Sequence, residues 1–129
     1  MTDFSVTITP RFYETDALGH INNAVIAAWF EVARASFLQS LGDGDARSAE
    51  MWVLASLKID FIAETFYGSD VTAHITGVRP GNSSLTVECE MSQGGKVTVR
   101  GTAVIVHLGQ AGGSPTRISD ALREKLASL

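Results

Sequence analysis

Between Ala24 and Leu41 the chain reads AVIAAWFEVARASFLQSL, with no proline, no glycine and apolar side chains around nearly its whole circumference. Such a stretch predicts one long helix, and a helix apolar on every side is normally buried on every side. The remaining sequence must therefore supply a surface that wraps it. Glu31 and Arg34 are its main polar interruption, at i,i+3 spacing. A buried glutamate is costly unless paired, so these two are expected to neutralise one another.

The wrapping surface is legible as strands. Phe4, Val6 and Ile8 alternate with Ser5, Thr7 and Thr9 until Pro10 stops the run. After the helix, Gly42-Asp43-Gly44-Asp45 makes a glycine stop and an acidic loop. Asp43, Asp45 and Glu50 lack the register of an EF-hand, so this is a plain solvated loop. From Met51 the period switches to two. Val53, Ala55, Leu57, Ile59, Phe61 and Ala63 fall on one face, with Ser56, Lys58 and Asp60 on the other. Beyond the Tyr67–Asp70 turn, Val71, Ala73 and Ile75 oppose Thr72, His74 and Thr76. Arg79-Pro80-Gly81-Asn82 marks a turn, and Leu85, Val87, Cys89 and Met91 alternate with Thr86, Glu88 and Glu90. Gln93-Gly94-Gly95 signals a hairpin before a long strand from Lys96 to Leu108. A loop (GQAGGSPT) leads to a terminal amphipathic helix with Ile118, Leu122 and Leu126 one turn apart. Connections this short join antiparallel neighbours rather than βαβ units. The fold class expected is α+β, a single domain over 1–129 in which one antiparallel sheet curls around one helix.

Composition narrows the function. Ten basic against fourteen acidic residues give a net charge of −4, which argues against a nucleic-acid surface. The N-terminus lacks a basic segment followed by an apolar run, and no apolar run is long enough to cross a bilayer. A cytoplasmic protein with no membrane partner is the expectation. Cys89, the one cysteine, sits on an apolar strand face and reads as a buried structural thiol. His20, His74 and His107 have no metal-ligand spacing. His74 is expected to be exposed, and His107 to be a hydrogen-bonded structural residue. No serine lies in a G-x-S-x-G context.

Chemistry concentrates just before the helix. Asp16, Gly19, His20, Asn22 and Asn23 fall within eight residues, and Asn22 or Asn23 can cap the helix. A helix N-terminus offers free N–H groups and the positive end of the dipole, able to polarise a carbonyl. A carboxylate beside it can attack that carbonyl or activate water. A turn or capping role for Asp16 is the simpler alternative.

The run Tyr13-Glu-Thr-Asp16-Ala-Leu-Gly19-His20-Ile-Asn22-Asn23, followed by Trp29-Phe-Glu31-Val-Ala-Arg34, resembles the signature of hotdog-fold acyl thioesterases. The nearest group is the 4-hydroxybenzoyl-CoA thioesterase-like family, and the Gly-His-x-Asn-Asn portion is also similar to acyl-ACP thioesterases. The resemblance implies a hotdog fold and hydrolysis of an acyl-CoA or acyl-ACP thioester to free acid and thiol. It implies Asp16 as nucleophile or general base and the backbone N–H of Asn23 as oxyanion donor. Gly19, His20 and Asn22 would shape the substrate site, and Ser83 and Ser84 would lie where relatives approach coenzyme A. It implies no metal and no cofactor beyond the coenzyme A of the substrate, and a homodimer or tetramer of dimers. Where members commonly carry Tyr, this chain has Ile26. Lys58, Arg79, Lys96 and Arg100 are candidate phosphate partners, although a solvated strand face accounts for them equally. A non-catalytic acyl-CoA-binding or sensor protein of the same fold is the alternative.

Overall fold

The computed structural model describes residues 2–42, 52–109 and 113–129. In chain order the elements are β1 (Ser5–Ile8), a 3₁₀ turn (Phe12–Glu14), α1 (Asn23–Leu41), β2 (Trp52–Phe61), β3 (Val71–Pro80), β4 (Ser84–Gln93), β5 (Lys96–His107) and α2 (Asp120–Ala127). The five strands form one antiparallel sheet in the order β1-β3-β4-β5-β2. Three consecutive strands are joined by hairpins. The β4–β5 turn is Gly94-Gly95, both at positive φ (61° and 78°), the backbone a two-residue primed turn requires. The acidic loop of Asp43, Asp45 and Glu50 lies outside the described residues, as do Met51 and the segment 110–112.

The helix boundaries follow their chemistry. The Asn22 side chain accepts from Ala24 N–H at 2.8 Å, and Gly42 donates back to the Leu38 carbonyl at 3.2 Å. Ile26, Phe30 and Phe37 are fully buried against Val71, Ala73, Ile75, Leu85, Val87 and Met91 of the sheet. Each such side chain contributes about 2–3 kcal/mol of hydrophobic stabilisation. Ile26, standing where a tyrosine was the family expectation, is part of this core. The helix packs tightly on the sheet at Gly101 of β5: a Cβ there would meet the Phe30 ring at 2.9 Å.

Three expectations are corrected. The helix is not enclosed on all sides: Ala24, Ala28, Glu31 and Val32 are exposed, Val32 by 52%. Five strands curve around one side of α1 only, and the small alanines allow the opposite stripe to stay bare. The alternation of β2 breaks at a bulge between Leu54 and Ser56. Trp52 and Leu54 therefore share the helix-facing side with Leu57 and Ile59, while Val53 turns away. His74 is half-buried rather than exposed, its Nε2 lying 2.7 Å from the Thr2 carbonyl. The other strand assignments hold, and Cys89 is buried. His107 Nδ1 sits 3.1 Å from the Thr116 carbonyl, as a structural histidine should. At the C-terminus Ser119 caps α2, which presses Leu126 onto the core beside Ile118.

The segment joining β2 to β3 is moored by one side chain. Gln93 accepts from Phe66 N–H at 2.9 Å and donates to the carbonyls of Phe66 (2.7 Å) and Ser69 (2.9 Å). Phe66 and Tyr67 remain about half exposed.

Candidate active site

The loop from Thr15 to Asn22 closes on itself through backbone bonds that Asp16 organises. Its N–H donates to the His20 carbonyl (2.7 Å), and its Oδ1 accepts from Leu18 N–H (2.8 Å) and His20 N–H (3.1 Å). Gly19 takes φ +81°, which lets the chain reverse between those two donors. Asp16 is half-buried, and its second oxygen has no partner among the described residues. One oxygen thus fixes the side chain and the other remains available.

The helix start complements it. Ala24 N–H is taken by the Asn22 side chain, while Val25 and Ile26 N–H point to the Asn22 carbonyl at 3.0 and 3.2 Å. Asn23 N–H is the one first-turn amide without an acceptor among the described residues. An uncommitted donor at the positive end of a helix is suited to an oxyanion. Asn22 itself is anchored through its N–H to the Glu14 carbonyl (2.9 Å), and the Glu14 carboxylate accepts from Trp29 Nε1 at 3.1 Å. The loop is thereby stitched to the helix it precedes.

His20 has two neighbours that sequence reasoning did not single out. Its Nδ1 lies 3.0 Å from the Glu64 carboxylate, and its ring meets Phe66 edge-on at 5.2 Å between centroids. Both reside in the segment after β2, brought in by the bridge between Ile21 N–H and the Thr65 carbonyl (2.8 Å). Nothing in the local sequence spacing signals this contact. Around the loop Phe12, Tyr13 and Leu18 are more than 70% exposed, and Phe12 meets Tyr67 edge-on. This is an unusual concentration of uncovered apolar surface. A groove of about 720 Å³ adjoins it, lined by Glu14, Arg11 and the bare helix stripe of Ala28 and Val32.

Ser83 and Ser84 do not join this cluster within one chain. They follow the β3–β4 turn at one end of the sheet, whereas the Asp16 loop docks through Phe66 on Gln93 at the other. A ten-residue strand separates the two by about 30 Å. Of the cationic candidates, Lys58 faces Asp60, Arg79 pairs with Glu88 and Arg100 with Glu90. The expected Glu31–Arg34 ion pair is not formed: Glu31 is exposed, Arg34 is buried, and they interact only through their charges. Burial lowers the Arg34 guanidinium pKa, and Glu31 partly offsets that. Among the described residues no three histidine, cysteine or carboxylate groups cluster to hold a metal, and no helix is long and apolar enough to cross a membrane.

A five-stranded antiparallel sheet curved around one helix, with a polar loop at that helix's start, is the hotdog fold of acyl thioesterases. The model of the thioesterase-like superfamily matches residues 10–126, and the chain belongs to that family as a thioester hydrolase. A predicted thioesterase from Bacillus stearothermophilus is 36% identical and superposes with a TM-score of 0.87 over 97% of this chain and 94% of its own. A thioesterase from Thermus thermophilus, solved with coenzyme A and zinc, is 30% identical with a TM-score of 0.86 over 96% of this chain and 91% of its own. A chloroplastic acyl-acyl carrier protein thioesterase of Arabidopsis thaliana, ATL3, is 36% identical over 83 residues, which are 60% of this chain and 44% of that protein.

Proposed function

We propose that the chain hydrolyses an acyl thioester of coenzyme A, with acyl carrier protein as the other possible carrier, through Asp16 and the Asn23 backbone N–H. The observation that carries this reading is the division of labour at Asp16: one oxygen held by two loop amides, the other uncommitted. The free oxygen attacks the thioester carbonyl, or takes a proton from the water that does, and Asn23 N–H receives the charge developing on the carbonyl oxygen. His20, steadied by Glu64, and Gly19 with Asn22 form the adjoining wall. No metal or bound cofactor enters the reaction; coenzyme A arrives with the substrate. The likeness to a thioesterase solved with coenzyme A supports that carrier, and the likeness to an acyl-acyl carrier protein thioesterase supports the other. The cytoplasm is the compartment in keeping with such a substrate.

The working unit is a homodimer, alone or doubled into a tetramer. β2 is an edge strand with Val53, Leu54 and Phe61 each more than 40% exposed, a surface that single soluble domains rarely leave bare. Antiparallel pairing of two such edges would carry Ser83 and Ser84 of one copy toward the Asp16 end of the other.

A panel of short, long and aromatic acyl-CoAs, with an acyl carrier protein series beside it, tests the reading by release of free thiol. Asp16→Asn keeps the Oδ1 acceptor, so the loop stays closed, and is expected to lower kcat at least about a hundredfold with substrate binding retained. Equal rates in wild type and variant would confine Asp16 to its turn. Binding without thiol release across the panel would make the protein a sensor rather than an enzyme.

A further inference from the structure

Arg34 lies on the same face of α1 as Asn23, three turns further on, with only 6% of its surface exposed. Among the described residues nothing accepts a hydrogen bond from its guanidinium and no carboxylate pairs with it. Its stem is buried, but no described side-chain nitrogen is both enclosed and without a partner, so the five guanidinium donors face an opening rather than the closed core. On the sheet side it meets Phe30, Val87, Cys89 and Ala103, a closed apolar wall. The thiol there gives no compensating charge, because burial pushes the Cys89 pKa up to about 12.

On its other side Arg34 lines a cavity of about 80 Å³ whose walls are Ala35, Leu38, Trp52, Leu54 and Ile105, with Glu31 as the one acid. We propose that this cavity binds a carboxylate on a short apolar stem, its two oxygens received by the Arg34 fork. A planar anion matches the guanidinium geometry, and the aliphatic and indole walls match the stem. The small size of the cavity favours a short stem or a single ring over a long chain. Glu31 opposes such a ligand through its charge but does not occupy the place, being turned to solvent. Two sources carry this chemistry: a free carboxylic acid, or the far carboxylate of an acyl group built on a dicarboxylic acid.

Trp52 in the cavity wall supplies the readout. Butyrate and benzoate are expected to change its fluorescence saturably, with butyramide and benzamide binding about tenfold more weakly for want of charge. Trp52→Phe should remove the signal. Arg34→Met, which keeps an unbranched apolar stem without the charge, should erase the preference for acid over amide, and Arg34→Lys should weaken it. Absence of saturation in wild type, equal affinity for acid and amide, or an unchanged preference in Arg34→Met would overturn the proposal. So would dimer dissociation altered by Arg34→Met in a protein that refuses carboxylates, since a second copy would then fill the cavity. The sources separate in thiol release from glutaryl-CoA against pentanoyl-CoA. An advantage for glutaryl-CoA that Arg34→Met abolishes assigns the acyl terminus, and no such advantage beside intact acid binding assigns the free acid. The fluorescence arm requires no turnover, so it stands or falls independently of the thioesterase mechanism.

Discussion

Replacing Gly101 by alanine tests the packing that sets the position of α1. An added Cβ would sit 2.9, 3.0 and 3.2 Å from the Cζ, Cε2 and Cε1 atoms of Phe30. Ordinary carbon contacts need about 3.5–4.0 Å, so the ring must retreat by about half an ångström or more. It has little room, because Phe30 is 1% exposed and wedged between the sheet and its own helix. Overpacking of this kind costs about 1–3 kcal/mol. For a chain of this length about 2 kcal/mol corresponds to a fall in Tm of about 6–10 °C. Urea unfolding at one fixed protein concentration is the appropriate assay, read as a lower midpoint with an unchanged slope. The reasoning also specifies a rescue: Phe30→Leu removes the offending ring atoms, so the double variant should lose less than the two single losses added together. Wild-type stability in Gly101→Ala, or strictly additive losses, would refute it. Because Phe30 lies two turns from Asn23 on the same helix, thiol release should fall with stability in Gly101→Ala and recover in part in the double variant.

Further outcomes follow from other contacts. Asn22→Ala removes the acceptor for Ala24 N–H and should cost about 1 kcal/mol, measured by urea unfolding, while thiol release falls as the helix start frays. The raised pKa of Cys89 favours its protonated form in the fold. Its contribution is complete below the unfolded thiol's pKa, near 9, and is lost as pH climbs toward about 12, at about 1.4 kcal/mol per pH unit. Cys89→Ala should flatten that part of the alkaline stability curve, and a thiol reagent at about pH 8 should label wild type only after unfolding. Leu54→Lys places a charge on the open β2 edge and should leave a folded monomer by sedimentation with little thiol release.

Much of the fold can be read from local chemistry. Asn22 and Gly42 delimit α1 because capping is a matter of one or two neighbouring residues. β4 shows its inner face as Leu85, Val87, Cys89 and Met91 because the irregularities in its pairing add their extra residue to β3 and β5, leaving its own alternation intact. β2 was less legible for a physical reason. Val53, Ala55 and Leu57 continue the alternation in sequence, but the bulge at Ala55 adds a residue that shifts the face, and only the pairing with β5 shows it. The bare stripe of α1 was hidden likewise, since alanine and valine do not announce whether a sheet reaches them. At the site, Asp16, His20 and Asn23 came from a contiguous loop. Glu64 and Phe66, more than forty residues later, came only with the fold, as did the separation of Ser83 and Ser84 from that loop.

The mooring made by Gln93 has a consequence for how the molecule keeps greasy rings facing outward. A short connection bearing Phe66 and Tyr67 would ordinarily fold inward to escape the solvent. Here one amide imitates a missing strand, answering a donor and two acceptors at once, and so denies the connection its easiest collapse. Phe66 and Tyr67 are thus held at the surface by a tether and not by burial.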